Sequence, residues 1–82
     1  MPAVYVLNVP EFKSLVDAAS GRPGWSVTPV AGDYFRIESG SELVFHRKEL
    51  KMKPAIWYGC FTGGVRGQII QFDRDTVRIA AE

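Results

Sequence analysis

Residues 55–80 read AIWYGCFTGGVRGQIIQFDRDTVRIA, and the pairing assigned to this stretch decides the fold. Gly63-Gly64 breaks it once, and Asp73-Arg74-Asp75 breaks it again. The segments between the breaks, residues 55–62, residues 67–72 and Thr76–Ala80, read as three strands. A two-residue loop at Gly63-Gly64 places Trp57 opposite Ile70 and Tyr58 opposite Ile69. A four-residue loop over residues 73–76 places Phe72 opposite Val77 and Ile70 opposite Ile79.

Working outward toward the N-terminus, residues 42–47 and 34–38 flank Ser39-Gly40-Ser41 and read as another hairpin. A three-residue loop there sets Phe35 against Phe45 and Ile37 against Leu43. Pairing Phe45 with Trp57 joins the two halves across residues 48–54, which leave room for a helical turn. One sheet face then collects Phe35, Ile37, Leu43, Phe45, Trp57, Ile70, Phe72, Val77 and Ile79. Side chains alternate strictly along a strand, so a slip of one residue would scatter that set. Gly59, in mid-strand, marks a bulge or a close backbone approach.

Further upstream, Ala3–Leu7 reads as a first strand and Trp25–Val30 as a second. Between them Pro10 suits the first turn of a helix, where its missing N–H loses nothing. Phe12, Leu15, Val16 and Ala19 recur at helical spacing, and Gly21 with Pro23-Gly24 ends the run. The expected fold is therefore α+β. It is a largely antiparallel, strongly bent meander of five or six strands, with one N-terminal helix on its core face. Closure into a partial barrel turns on where residues 3–7 pair. Residues 1–82 form one domain, for their number leaves no room for two. Val, Ile and Thr total 17, in keeping with a strand-rich chain.

The face turned away from the helix is unusually apolar for one meeting water. Its candidate ligand or interface residues are Tyr34, Arg36, Val44, His46, Ile56, Tyr58, Cys60 and Ile69. A chain this short buries only about 60% of the surface its unfolded form exposes, and self-association is one remedy. Intrachain disulfides and Cys/His zinc clusters are excluded, because the chain has one cysteine and one histidine. No cofactor, metal site or catalytic residue is assigned.

Several constellations have a bland reading that outweighs the chemical one. In the register above, Cys60 lies four residues from the level of His46, roughly 13 Å, too far for a nucleophile and its base. Glu38 and Glu42 flank a turn, where water screens their repulsion. Residues 47–53 carry Arg47, Lys48, Lys51 and Lys53, and a solvated loop is the simpler reading. Residues 62–67 are glycine-rich, but no helix follows to bind phosphate. Trp25, Trp57 and Tyr58 invite an aromatic cage, yet Trp57 is expected in the core. Aromatics placed to stack bases, as an RNA-binding strand needs, are missing from residues 66–72.

A formal net charge of +1 is a poor footprint for nucleic acid. No leader peptide or membrane span is expected, and a lone thiol suits a reducing cytoplasm. The leading expectation is a non-catalytic binding or homodimerising module using the second face. An alternative is a small anionic ligand held by Arg36, with His46 or Tyr58 moving a proton in an accessory enzyme. Third comes an acidic partner or nucleic acid on residues 47–53.

Overall fold

The computed structural model describes residues 1–81. The chain is α+β, and the described residues form seven strands in two antiparallel sheets and three short α-helices. The first sheet has the order β2-β3-β1-β5, from β1 (Ala3–Leu7), β2 (Trp25–Val30), β3 (Tyr34–Ser39) and β5 (Val65–Arg66). The second has the order β4-β7-β6, from β4 (Leu43–His46), β6 (Gln68–Phe72) and β7 (Thr76–Ala80). The chain crosses between sheets three times, from β3 to β4, from β4 back to β5 through the connecting helices, and from β5 to β6. Gly67 makes the last crossing at φ 118°, and a Cβ there would stand 2.5 Å from the Ala80 carbonyl oxygen. Only glycine accepts both conditions without strain.

β1 pairs with both β3 and β5, so it sits inside the first sheet. The two sheets do not close into a barrel.

The expected N-terminal helix forms as a 3-10 turn, Pro10–Phe12, leading into α1, Lys13–Ser20. Leu15 and Ala19 are fully buried, with Phe12, Val16 and Ala18 packed around the same core. A second short helix, α2 (Arg47–Leu50), fills the long connection and ends on Lys51 in the left-handed region.

The largest departure from the sequence reading is α3, Pro54–Cys60. The expected strand over residues 55–62 is a helix. The expected pairings of Trp57 with Ile70, Tyr58 with Ile69 and Phe45 with Trp57 therefore do not exist. An apolar run of this length is equally consistent with a buried strand and a buried helix segment. The helical signal is Pro54 at the first turn followed by Trp57, Cys60 and Phe61 at spacings of three and four. Those three are buried, while Ala55 and Tyr58 face outward. Gly59 lies in this helix with open space beside it, not in a bulged strand.

The expected β3–β4 hairpin is also absent. Phe35 lies opposite Val6 and Pro29, and Ile37 opposite Val4 and Val27. Leu43 and Phe45 pair instead with Ile79 and Val77. Ser39 turns the chain out of the first sheet: its buried hydroxyl accepts the Ser41 N–H at 3.1 Å. Phe72 does lie opposite Val77, but a bulge between Ile69 and Gln71 puts Ile69, not Ile70, against Ile79.

The core lies between the sheets and the helices. Val4, Val6, Ile37, Leu43, Phe45, Trp57, Val77 and Ile79 are at most 1% exposed. Each such side chain contributes about 1.5–3 kcal/mol by leaving water. Phe61 bridges Phe45 and Trp57, with ring centroids at 5.8 and 4.9 Å, so α3 is keyed into the second sheet by aromatic edges.

Candidate functional site

The eight residues singled out from the sequence do not share one face. Tyr34 and Arg36 lie on β3 of the first sheet, and Val44 and His46 on β4 of the second. Ile56, Tyr58 and Cys60 belong to α3, and Ile69 to β6. Arg36 is held by Glu38, Nε to Oε1 at 2.8 Å. His46 is exposed, with its Nδ1 3.4 Å from the Thr76 hydroxyl. Cys60 is 1% exposed, and its thiol donates to the Trp57 carbonyl at 3.1 Å. Burial pushes that thiol up to about 12, so it stays protonated at neutral pH. A protonated, enclosed thiol is a poor nucleophile.

Two cavities stand out among the described residues. A cleft of about 290 Å³ is lined by Leu7, Val9, Pro10, Val16 and Phe35, with the exposed Lys13–Asp17 ion pair at its rim. None of the eight residues lines it. A smaller one of about 150 Å³ brings Tyr34 and Cys60 together with Leu7, Phe12 and Gly63. Both fall below the usual range for small-molecule sites.

The exposed apolar surface has a clearer organisation. Ile69, Ile70 and Phe72 are 47, 47 and 40% exposed, and all belong to β6. Tyr58 is 46% exposed on α3, with its ring centroid 5.7 Å from that of Phe72. Ile69 and Phe72 lie opposite the buried Ile79 and Val77, so both belong to the core side of the sheet. Tyr58 and Phe61, in and just after α3, touch Phe72 but leave the β6 side chains half-exposed. Phe72 is gripped from within by Phe61 at 5.5 Å and left bare on its outer side.

β6 is also the edge of its sheet, paired only with β7. Among the described residues, no backbone bond outside that ladder reaches residues 68–72. A row of backbone donors and acceptors therefore faces outward beside the apolar side chains. Sequence reasoning singled out Tyr58 and Ile69 but placed Ile70 and Phe72 in the core. The missed signal was a sheet order, which no local pattern carries.

One tight turn fixes the far end of β6. Asp73 Oδ1 accepts the N–H groups of Asp75 and Thr76 at 2.9 and 2.8 Å, and its Oδ2 accepts Gln71 Nε2 at 2.9 Å. These bonds, Gln71 first, hold the Asp73 carboxyl below the usual carboxylate range. Arg47 clamps the turn from β4 and α2, donating to the Arg74 carbonyl at 2.7 Å, the Met52 carbonyl at 2.9 Å and Asp75 Oδ1 at 3.0 Å. Trp57 Nε1 donates to the Asp73 carbonyl at 2.8 Å. Of the basic residues over 47–53, Arg47 is thus committed to structure, whereas Lys48, Lys51 and Lys53 are exposed.

Among the described residues, no group of three or more His, Cys, Asp or Glu side chains is placed to hold a metal, and no helix is long and apolar enough to cross a membrane. No protein-family model matches the chain, and no curated protein shows significant sequence similarity to it.

Proposed function

We propose that this domain is a non-catalytic binding or self-assembling module whose working surface is the β6 edge together with Tyr58. One observation carries the reading. Three large apolar side chains, Ile69, Ile70 and Phe72, stand 40–47% exposed on a strand whose outer backbone has no partner among the described residues. Uncovered apolar patches of this kind mark interaction sites, and an open edge accepts a strand by main-chain hydrogen bonds. The clamp at Asp73 supports the reading, because it presents the edge ready-made and little ordering entropy is lost on binding.

A small-anion site built from Arg36, His46 and Tyr58 has less support. The three stand on three elements, and Glu38 already neutralises Arg36. A cytoplasmic setting fits a chain whose one thiol is free.

The test places a photo-crosslinking amino acid at Ile70, and separately at the exposed Ser14 of α1, in the full chain in its native cells. Adducts are expected from position 70 and not from position 14. Silence at position 70 would remove the edge as the working surface.

A further inference from the structure

Four strands lie at sheet edges, and three of them are guarded. β2 carries Pro29, which has no N–H to offer a partner. β5 is two residues long, too short to template a pairing. β4 is four residues long, and its Val44 carbonyl already accepts Arg22 Nη1. Arg22 is held there by stacking, with its guanidinium carbon 4.5 Å from the Trp25 ring centroid. β6 has none of these devices. It is five residues long, QIIQF, with no proline and no charge, and a single bulge is its sole irregularity.

We infer that β6 pairs antiparallel with β6 of a second copy of this chain, joining two three-stranded sheets into one six-stranded sheet. The inference rests on the reading of the β6 edge as the working surface.

Charge favours this occupant and this direction. The uncharged strand is preceded by Arg66 and followed by Asp73, Arg74 and Asp75, a net positive flank and a net negative one. Antiparallel pairing brings the Arg66 end of each copy toward the Asp73 end of its partner. A parallel arrangement would set like against like. Two copies of formal charge +1 repel each other little. Symmetry closes the assembly: each copy has one unguarded edge, and a two-fold uses both, leaving nothing to propagate a fibre.

Size sets the strength. Tyr58, Ile69, Ile70 and Phe72 together leave on the order of 350 Å² exposed per copy, taking about 200 Å² for a whole large side chain. A standard interface buries about 800 Å² per partner, so even with the edge backbone and flanking residues added this is a weak dimer, of ~10 μM dissociation constant.

Sedimentation velocity on the purified full chain, from about 1 to about 200 μM, tests this directly. The weight-average mass is expected to climb from 9.1 kDa toward twice that value. Ile70→Lys should hold the chain at the monomer mass with its circular dichroism unchanged. Arg66→Glu should raise the dissociation constant about tenfold, while Arg66→Lys restores it. A dimer indifferent to both Ile70→Lys and Arg66→Glu would overturn the arrangement. A monomer at every concentration, combined with a crosslink from position 70 to a protein of another mass, would overturn the second copy and leave the edge as a binding surface. A monomer with no crosslink would sink both.

Discussion

Arg47 shows how one side chain can organise a small domain. Its guanidinium joins α2, the loop after it and the β6–β7 turn through three acceptors, and it is only 12% exposed. Lysine has the charge but not the fork, so Arg47→Lys should cost about 2 kcal/mol in urea unfolding. An unchanged midpoint would show the clamp to be idle. Cys60 gives a pH-dependent check. Its folded thiol lies near 12 against an ordinary 9.0. Above pH 9 the unfolded chain releases a proton that the folded chain keeps, so the unfolded state gains. The thiol's share of stability is intact below pH 9 and is lost as pH rises toward 12. Between pH 8 and 10 the native chain should lose about 1.4 kcal/mol more than Cys60→Ala does. Equal losses would mean the thiol is not enclosed as described. Asp73 has the opposite sign: its lowered carboxyl supports the turn above the ordinary carboxylate range, and that support fades as pH falls below it.

At the scale of elements, α3 is where the sequence was hardest to read. Pro54 and the spacing of Trp57, Cys60 and Phe61 were visible, but the two-residue break at Gly63-Gly64 fitted a hairpin equally well. Gly59 discriminates between the two structures. In a helix with open space at its Cβ, Gly59→Ala should stabilise the domain by about 0.5 kcal/mol. A substitution that destabilises by that much or more would argue for a pleated backbone with a neighbour pressed against it. β1, β2 and β7 were legible to the residue, because each alternates or runs apolar between strong turn signals. Of their partners, the sequence reading found β6 for β7, with Phe72 opposite Val77, and missed those of β1 and β2. The β3–β4 hairpin looked natural from its short loop, yet the chain turns a corner there and each strand finds its ladder elsewhere.

For the whole molecule, the consequence of two sheets is a margin that the helices only partly cover. α1 and α3 cover the core, and the β6 edge with Tyr58 remains open. If that margin is filled by a second copy, unfolding becomes concentration-dependent. The melting temperature should then rise by a few degrees between about 2 and about 200 μM chain, and Ile70→Lys should abolish the rise. A melting temperature flat across that range in the native chain would count against self-association.

The sequence by itself determined the α+β class, the N-terminal helix, most strand positions and six of the nine residues read as the sheet's core face, Ile37, Leu43, Phe45, Trp57, Val77 and Ile79. These follow from side-chain periodicity and turn chemistry, which act over a few residues. Only the tertiary structure decided that residues 54–60 are helical, that the strands divide between two sheets, and that β6 lies at an edge. Those outcomes depend on which distant surfaces bury one another. Ile70 and Phe72 read as core residues because they are large and apolar, and that property is the same in a covered strand and an open one. Their exposure is set by the neighbours that β6 lacks.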